Sequence, residues 1–107
     1  MIEDLDPVIH APKRLAAMAI LRRAAGTFPF LREHLKISDS DLSKQMATLE
    51  KAGYVKVAKA GRGRGATTTY ALTRQGRTAY DRHRRALATI LEAGASDEFS
   101  GRHGSEH

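Results

Sequence analysis

The apolar residues in the first half of the chain recur at the three- and four-residue spacing of amphipathic helices. This spacing predicts a helix over residues 13–25. Pro12, just before it, suits the first position of a helix, where the missing N–H of proline costs nothing. A two-turn helix is predicted after Thr27, and a third helix over residues 39–52 after Ser38. Both hydroxyl residues are suited to cap a helix N-terminus.

After the third helix the apolar period changes to two, which is the period of a half-buried strand. Residues 54–59 and 67–72 are predicted as strands, and the glycine-rich residues 61–65 between them as a turn. The two strands therefore form a hairpin. Thr73 then caps a long helix that continues to about residue 93.

The predicted organisation is one domain with a segment on either side. Residues 1–11 are expected to form an extended N-terminal arm, residues 12–93 the domain, and residues 94–107 a flexible tail rich in Gly, Ser and His. The fold class is mainly α with a small β-hairpin, in the order α-α-α-β-β-α. Two short helices joined by a tight turn and followed at once by a hairpin are the plan of a winged helix-turn-helix.

Positive charge is concentrated in the second half of the chain. The sequence has 18 Lys and Arg against 12 Asp and Glu, a formal net charge of +6. Residues 55–87 hold nine basic residues, with Asp81 as the one acidic residue. Such a distribution indicates an acidic partner, for which nucleic acid and an anionic membrane surface are the candidates.

Several classes of function are excluded or disfavoured by the composition. The chain has no cysteine, which excludes disulfides, thiolate zinc sites and thiol catalysis. No apolar run approaches the roughly 20 residues of a membrane span, and a secretory signal is not expected, because no basic segment followed by a long apolar stretch precedes the first helix. No phosphate-binding loop or nucleophile system is recognisable, so an enzyme is not expected. The protein is therefore expected to be cytoplasmic.

Two stretches carry a family resemblance. The sequence LKISDSDLSKQMATLEKAGYV of residues 35–55 resembles the signature of the MarR/ArsR class of transcriptional regulators. The sequence LTRQG of residues 72–76 resembles the L-T-x-x-G opening of the helix that follows the wing in that class. The resemblance covers about residues 8–93 and implies a DNA-binding regulator with a winged helix fold.

The third helix is the predicted recognition helix, because its apolar side faces the domain and leaves a polar side outward. The N-terminal half of such a helix enters the major groove, where Gln45 can pair with adenine and Lys44 can reach guanine or phosphate. Asp41 stabilises the helix N-terminus or, alternatively, accepts from a cytosine amine. The predicted DNA contacts of this helix are Ser38, Ser40, Asp41, Ser43, Lys44, Gln45 and Thr48.

The hairpin tip, residues 59–66, is predicted to be a wing that contacts the minor groove or the DNA backbone. It carries Lys59, Arg62 and Arg64 among glycines that let the backbone approach a groove wall. A solvated loop would not require these cations.

The long last helix, residues 73–93, has two interpretations. Its apolar residues pack back on the domain, or they form the seam of a homodimer together with the first helix, because so small a domain cannot cover the whole helix. The dimer interpretation is favoured and would place two recognition helices on half-sites about 34 Å apart. The predicted seam consists of Leu15, Met18, Tyr80, His83, Leu87, Ile90 and Leu91.

No metal and no cofactor are predicted. Asp81 and His83 resemble half of the D-x-H metal motif of zinc-sensing ArsR proteins, but Gly94 and Asp97 stand where that class places His and Glu. A small-molecule effector bound between the wing domain and the dimer helices is an expectation of the resemblance.

The sequence therefore predicts a sequence-specific, double-stranded DNA-binding transcriptional regulator that acts as a homodimer. Repression by occupying a promoter is the simplest mechanism, and activation stays open. The main alternative is a winged helix used for protein–protein assembly, which usually shows an apolar or acidic face in place of a basic wing. RNA binding is a third interpretation, although the wing lacks aromatic residues for base stacking.

Overall fold

A computed structural model describes residues 1–94, and these residues contain four α-helices and one three-stranded antiparallel sheet. The fold class predicted from the sequence, a mainly α winged helix, is confirmed. Apart from Gly94, the tail predicted at residues 94–107 lies outside the described residues. The elements are α1 (Pro12–Arg23), β1 (Gly26–Thr27), α2 (Phe28–Leu35), α3 (Asp39–Lys51), β2 (Val55–Ala60), β3 (Thr67–Leu72) and α4 (Arg74–Gly94).

Three side-chain caps begin the last three helices, as the sequence predicts. The Thr27 hydroxyl accepts from the backbone N–H of Phe30 at 3.3 Å, and the Ser38 hydroxyl accepts from that of Asp41 at 3.1 Å. The Thr73 hydroxyl caps α4 in the same way, by accepting from the backbone N–H of Gly76. Each cap satisfies one of the N–H groups that a helix start leaves unpaired.

The sheet has one strand more than the predicted hairpin. β1 pairs with β3, so the strand order is β1-β3-β2 and β3 is central. Gly26 lies opposite Tyr70, and Thr27 opposite Thr69. Helix α1 ends at Arg23 rather than at residue 25 because the chain turns there to enter β1. A strand of two residues is too short to produce a recognisable period in the sequence.

The core lies between the three short helices and the inner face of the sheet. Leu42, Met46 and Leu49, the apolar residues on the side of α3 that is predicted to face the domain, are all buried. The buried apolar residues are Ile9, Ala17, Met18, Leu21, Leu31, Leu42, Met46, Leu49, Val55, Tyr70 and Leu72.

The start of α4 packs directly on the backbone that links α3 to β2. A Cβ atom on Gly76 would lie 2.0 Å from the carbonyl oxygen of Tyr54, so only glycine fits there. The same carbonyl accepts from the N–H of Thr73 at 3.0 Å. The Thr73 hydroxyl donates to the carbonyl of Gly53 at 2.6 Å and accepts from the N–H of Gly76 at 2.9 Å. The glycine of the LTRQG motif is thus explained by a close approach of two backbones.

The N-terminal segment, residues 1–11, is not the extended arm that the sequence predicts. Residues Ile2–Asp4 form a 3₁₀ turn, and Ile9 is fully buried in the core. The Asp6 carboxylate accepts from the backbone N–H groups of Val8 and Ile9 and from the Tyr54 hydroxyl. The hydrogen bond to this carboxylate, with burial, raises the pKa of Tyr54 to about 12, so the phenol stays a donor. These long-range contacts have no signal in the local sequence pattern.

His83 joins the N-terminal segment to α4 and is fully buried. Its Nδ1 accepts from the backbone N–H of Asp6 at 3.0 Å, and its Nε2 lies 3.2 Å from Nδ1 of His10. Because the Asp6 N–H can only donate, a neutral His83 carries its proton on Nε2 and donates it to His10. A second proton on His83 would therefore face the Asp6 N–H directly. Burial, and to a lesser extent His10, lower the pKa of His83, while Asp6 opposes the shift.

An ion pair fixes the other side of α4 to α1. The Arg22 guanidinium donates to both oxygens of Asp81, at 3.0 and 3.1 Å. This pair lowers the pKa of Asp81 and raises that of Arg22.

In the part of the chain that the structure describes, no helix combines the length and the apolar character that crossing a membrane requires.

We expect Gly76→Ala to lower the free energy of unfolding by about 2–3 kcal/mol, because the added methyl group must push α4 away from Tyr54. Urea unfolding followed by circular dichroism measures the decrease. Gly65→Ala is the matched control, since a Cβ there meets no atom within 4 Å. We expect it to change the stability by less than about 0.5 kcal/mol. Equal stability of the two variants would contradict the close approach.

We expect the free energy of unfolding to fall as the pH drops below the ordinary pKa of histidine, about 6.5. Because the folded state lowers the pKa of His83, the unfolded state binds the proton first as the pH drops. The free energy of unfolding therefore decreases between the unfolded-state pKa and the lower folded-state pKa. The slope from this group is at most about 1.4 kcal/mol per pH unit. Urea unfolding at pH 7.5, 6.5 and 5.5 tests this. The variant His83→Gln keeps an acceptor and a donor but does not titrate, and it should show a shallower slope. An unchanged slope in that variant would assign the pH dependence to other groups.

Candidate nucleic-acid interface

The outward side of α3 presents a short polar surface. Ser40, Ser43 and Lys44 are exposed on its first two turns. Within residues 1–94, Lys44 forms no ion pair with a carboxylate within 4.0 Å. Ser43 and Lys44 are therefore free to contact a ligand in front of the helix, and the exposed Ser40 hydroxyl, 3.3 Å from that of Ser38, keeps capacity for a further hydrogen bond.

Ser38 and Thr48, the first and the last of the predicted DNA contacts along this helix, form hydrogen bonds with backbone groups of the helix itself. The Ser38 hydroxyl is the N-cap and also lies 3.3 Å from the Ser40 hydroxyl. The Thr48 hydroxyl donates to the carbonyl of Lys44 at 3.1 Å. Both hydroxyls keep some capacity for a further hydrogen bond, since a hydroxyl can donate one and accept two.

Asp41 and Gln45 bind residues of α1 that the sequence analysis did not single out. The Gln45 carbonyl oxygen accepts from Nη1 of Arg14 at 2.8 Å, and its amide nitrogen donates to Oδ1 of Asp41 at 2.9 Å. The other oxygen of Asp41 accepts from Nζ of Lys13. The bonds from Lys13 and Gln45 lower the pKa of Asp41. Sequence gives no direct signal for these pairs, because they join polar positions of two helices far apart in the chain.

The wing is a tight, exposed tip between β2 and β3. The register pairs Ala60 with Thr67, which leaves residues 61–66 to form the tip. Gly61 has a φ of +81°, and a Cβ on it would lie 2.8 Å from the carbonyl oxygen of Gly65, so the turn requires glycine. The short 3₁₀ turn Gly63–Gly65 then returns the chain to β3.

The three predicted cations of the wing are all exposed. Arg62 and Arg64 lie in the tip, and Lys59 lies near the end of β2. Among the residues that the structure describes, none of the three pairs with a carboxylate within 4.0 Å. The wing therefore presents uncompensated positive charge on a narrow projection.

The predicted dimer residues separate into three groups, two of which are at least partly exposed. Leu15, Tyr80 and Leu87 line an apolar groove of about 390 Å³ between α1 and α4. Further along α4, Ile90 is half-buried and Leu91 is 65% exposed.

Met18 and His83 have no surface to offer a second subunit. Both are fully buried within their own subunit, Met18 in the core and His83 against the N-terminal segment. The helical spacing that placed them with the seam residues could not separate an inner stripe from an outer one.

The half motif Asp81–His83 is engaged in structural contacts. Asp81 binds Arg22, and both ring nitrogens of His83 have partners. Across residues 1–94, no three His, Asp or Glu side chains lie close enough together to hold a metal ion.

Residues 13–91 match the family model of the winged helix DNA-binding domain. The match spans α1 through most of α4 and includes the wing. No curated protein sequence is similar enough to count as a match.

Solved structures share the fold. The chain is similar to the transcriptional regulator homologue protein from Pyrococcus horikoshii OT3, with 24% identity over 80% of this chain and 86% of that one, and a TM-score of 0.75. It is also similar to a transcriptional regulator of the MarR family from Enterococcus faecalis V583, with 22% identity over 92% and 84% of the two chains and a TM-score of 0.67. The regulator ytfH from Salmonella typhimurium gives 21% identity over 90% and 85%, with a TM-score of 0.68. At these identities the likeness shows the fold alone.

Proposed function

Because the chain belongs to the family of winged helix DNA-binding domains, we propose that it is a sequence-specific, double-stranded DNA-binding regulator of transcription that acts as a homodimer. One structural neighbour is a transcriptional regulator of the MarR family, and that family serves as a model for this function. A regulator of this kind would act in the cytoplasm.

The observation that carries the proposal is the set of exposed cations on the recognition helix and the wing. Lys44, Lys59, Arg62 and Arg64 are all exposed, and within the described residues none forms an ion pair with its own chain. Unpaired cations on a projecting hairpin are suited to phosphates, whose neutralisation releases counterions and drives binding.

The two parts of this surface would do different work. Helix α3 would enter the major groove, where Ser40, Ser43 and Lys44 can reach base edges. The wing would follow the backbone or the minor groove, where Arg62 and Arg64 meet the most negative potential. Base contacts would then set the sequence preference and wing contacts the affinity.

The apolar groove between α1 and α4 supports the homodimer. It is lined by Leu15, Tyr80 and Leu87, and the exposed Leu91 continues the apolar side of α4 beyond it. A second copy placed on this face would cover apolar area that otherwise faces water. Two recognition helices would then read two half-sites about one helical turn apart.

Repression by occupying a promoter is the simplest mechanism for a protein of this size. A small-molecule effector stays a prediction of the family resemblance, and activation stays open. The alternative of an assembly module is disfavoured by the unpaired wing arginines, because an interface with another protein would leave these charges uncompensated unless the partner is acidic.

We expect the wild-type protein to select a consensus from a random pool of duplexes, and to bind the selected duplex about 10³-fold more tightly than a scrambled one at moderate salt. The double variant R62Q/R64Q should bind both duplexes more weakly. The magnitude of its log–log salt slope should fall by about 0.9 for each phosphate that the variant no longer neutralises. Fluorescence anisotropy over a series of salt concentrations measures both quantities.

Arg85→Gln is the control for that experiment, because it removes an exposed cation from α4, away from the proposed surface. We expect its salt slope to match that of the wild-type protein. An equal decrease of the slope in both variants would mean that the wing has no special role. A wild-type protein with no preference for any duplex would overturn the proposed function and favour the assembly module.

We expect Leu91→Glu to raise the dissociation constant of the dimer at least about tenfold, because a charge would replace an apolar side chain in the seam. Sedimentation equilibrium measures the change. Phe30→Glu is the matched control, since Phe30 is also exposed, at 44%, but lies on α2. A wild-type protein that is monomeric at high concentration would contradict the dimer without affecting DNA binding by one subunit.

A further inference from the structure

Four charged and polar side chains join the start of α1 to the start of α3. They are Lys13 and Arg14 on the first turn of α1, and Asp41 and Gln45 on the first two turns of α3. Hydrogen bonds run without a gap from Arg14 to Gln45, from Gln45 to Asp41, and from Lys13 to Asp41. We refer to these four residues as the α1–α3 clamp.

The clamp is anchored on a third element through Arg14. While Nη1 of Arg14 donates to Gln45 at 2.8 Å, its Nε donates to the carbonyl of Val8 at 2.6 Å. Val8 lies in the N-terminal segment, which His83 and Tyr54 hold against the body of the domain. One guanidinium group thus fixes the recognition helix relative to both α1 and the N-terminal segment.

The clamp engages the polar atoms that base recognition would need. A glutamine that reads adenine uses its carbonyl oxygen and its amide nitrogen together. Here the oxygen of Gln45 is held by Arg14 and the nitrogen by Asp41. Both oxygens of Asp41 also have partners, and Asp41 is only 24% exposed. Releasing Gln45 for DNA would leave the Asp41 carboxylate without the bond from Gln45, beside a surface that must approach phosphates.

We propose that Lys13 and Arg14 are positioning residues for DNA recognition, which hold α3 in its reading orientation through Asp41 and Gln45. Sequence is then read by Ser40, Ser43 and Lys44, while Gln45 and Asp41 act inside the protein. The inference rests on the proposed function and revises the role that the sequence predicts for Gln45. Lys13 also compensates the negative charge of Asp41 on the side of the helix that faces the phosphates.

The test uses the full chain and two duplexes, the one that the wild-type protein selects from the random pool and its scrambled counterpart. The variants are Arg14→Met, Gln45→Met and their combination, with Arg14→Lys as the conservative change. We expect each single change to weaken binding to the selected duplex about tenfold, in keeping with the loss of the hydrogen bond between the Arg14 guanidinium and Gln45. The combination should weaken binding by clearly less than the product of the two single effects, because both changes remove this shared hydrogen bond.

Two readouts separate positioning from direct contact with DNA. The salt slope should stay at the wild-type value in Arg14→Met, because a positioning residue touches no phosphate, and Arg14→Lys should recover part of the affinity. A new selection from the random pool with Gln45→Met should return the wild-type consensus. The matched variant Lys44→Met should return an altered consensus, because Lys44 would read bases directly.

Several results would overturn the inference. Additive effects in the combined variant, or a changed consensus in Gln45→Met, would make Gln45 a base-reading residue. A salt slope reduced by about 0.9 in Arg14→Met would make Arg14 a phosphate-binding residue. Unchanged affinity in both single variants would show that the clamp has no effect on recognition. Urea unfolding checks that each variant folds, and Gln45→Met leaves the bond from Arg14 to Val8 in place if Arg14→Met does not fold. A wild-type protein without a preferred duplex would instead remove the proposed function itself.

Discussion

The carbonyl group of Tyr54 lies where α3, the β2–β3 hairpin and the long last helix meet. The backbone N–H of Tyr54 closes the end of α3 on Leu49, and its carbonyl accepts from Thr73 at the start of α4. The side-chain hydroxyl of Tyr54 donates a hydrogen bond to the carboxylate of Asp6 in the N-terminal segment. The close packing of α4 on this carbonyl requires that Gly76 carry no side chain, because a Cβ would lie 2.0 Å from the carbonyl oxygen. The angle between α4 and the rest of the domain is therefore set by backbone contact, which cannot adjust as a pair of side chains can.

The sequence predicts the elements of this fold well because their signals are local. Thr27, Ser38 and Thr73 are hydroxyl residues placed just before an apolar period of three to four, and all three cap a helix. The change of period after Gly53 likewise predicts the two strands of the wing. The sequence predicts neither β1 nor the folded N-terminal segment. Two residues are too few for a period, and the packing of Ile9 depends on partners distant in sequence.

The residues of the candidate site differ in the same way, because some have a local signal in the sequence and others do not. Exposed cations on a glycine-rich turn can be found from sequence, since no core position requires Arg62 or Arg64. The distinction between free and engaged polar residues on α3 cannot be found from sequence, because Ser43 and Gln45 both point outward on a helical wheel. What separates them is Arg14, a residue 31 positions from Gln45 in the chain. Burial separates the α4 residues in the same way, since His83 is inside the domain and Leu91 is 65% exposed.

The order of the sheet has a consequence for the protein at high concentration. With β3 in the centre, β2 is an edge strand within the described part of the chain, and an open edge offers unpaired backbone groups to a strand from another molecule. Lys56 and Lys59 lie on β2, three residues apart, so they point to opposite faces of the sheet. A second copy that added its own β2 to this edge would bring like charges together on both faces. The lysines of β2 thus oppose edge-to-edge aggregation.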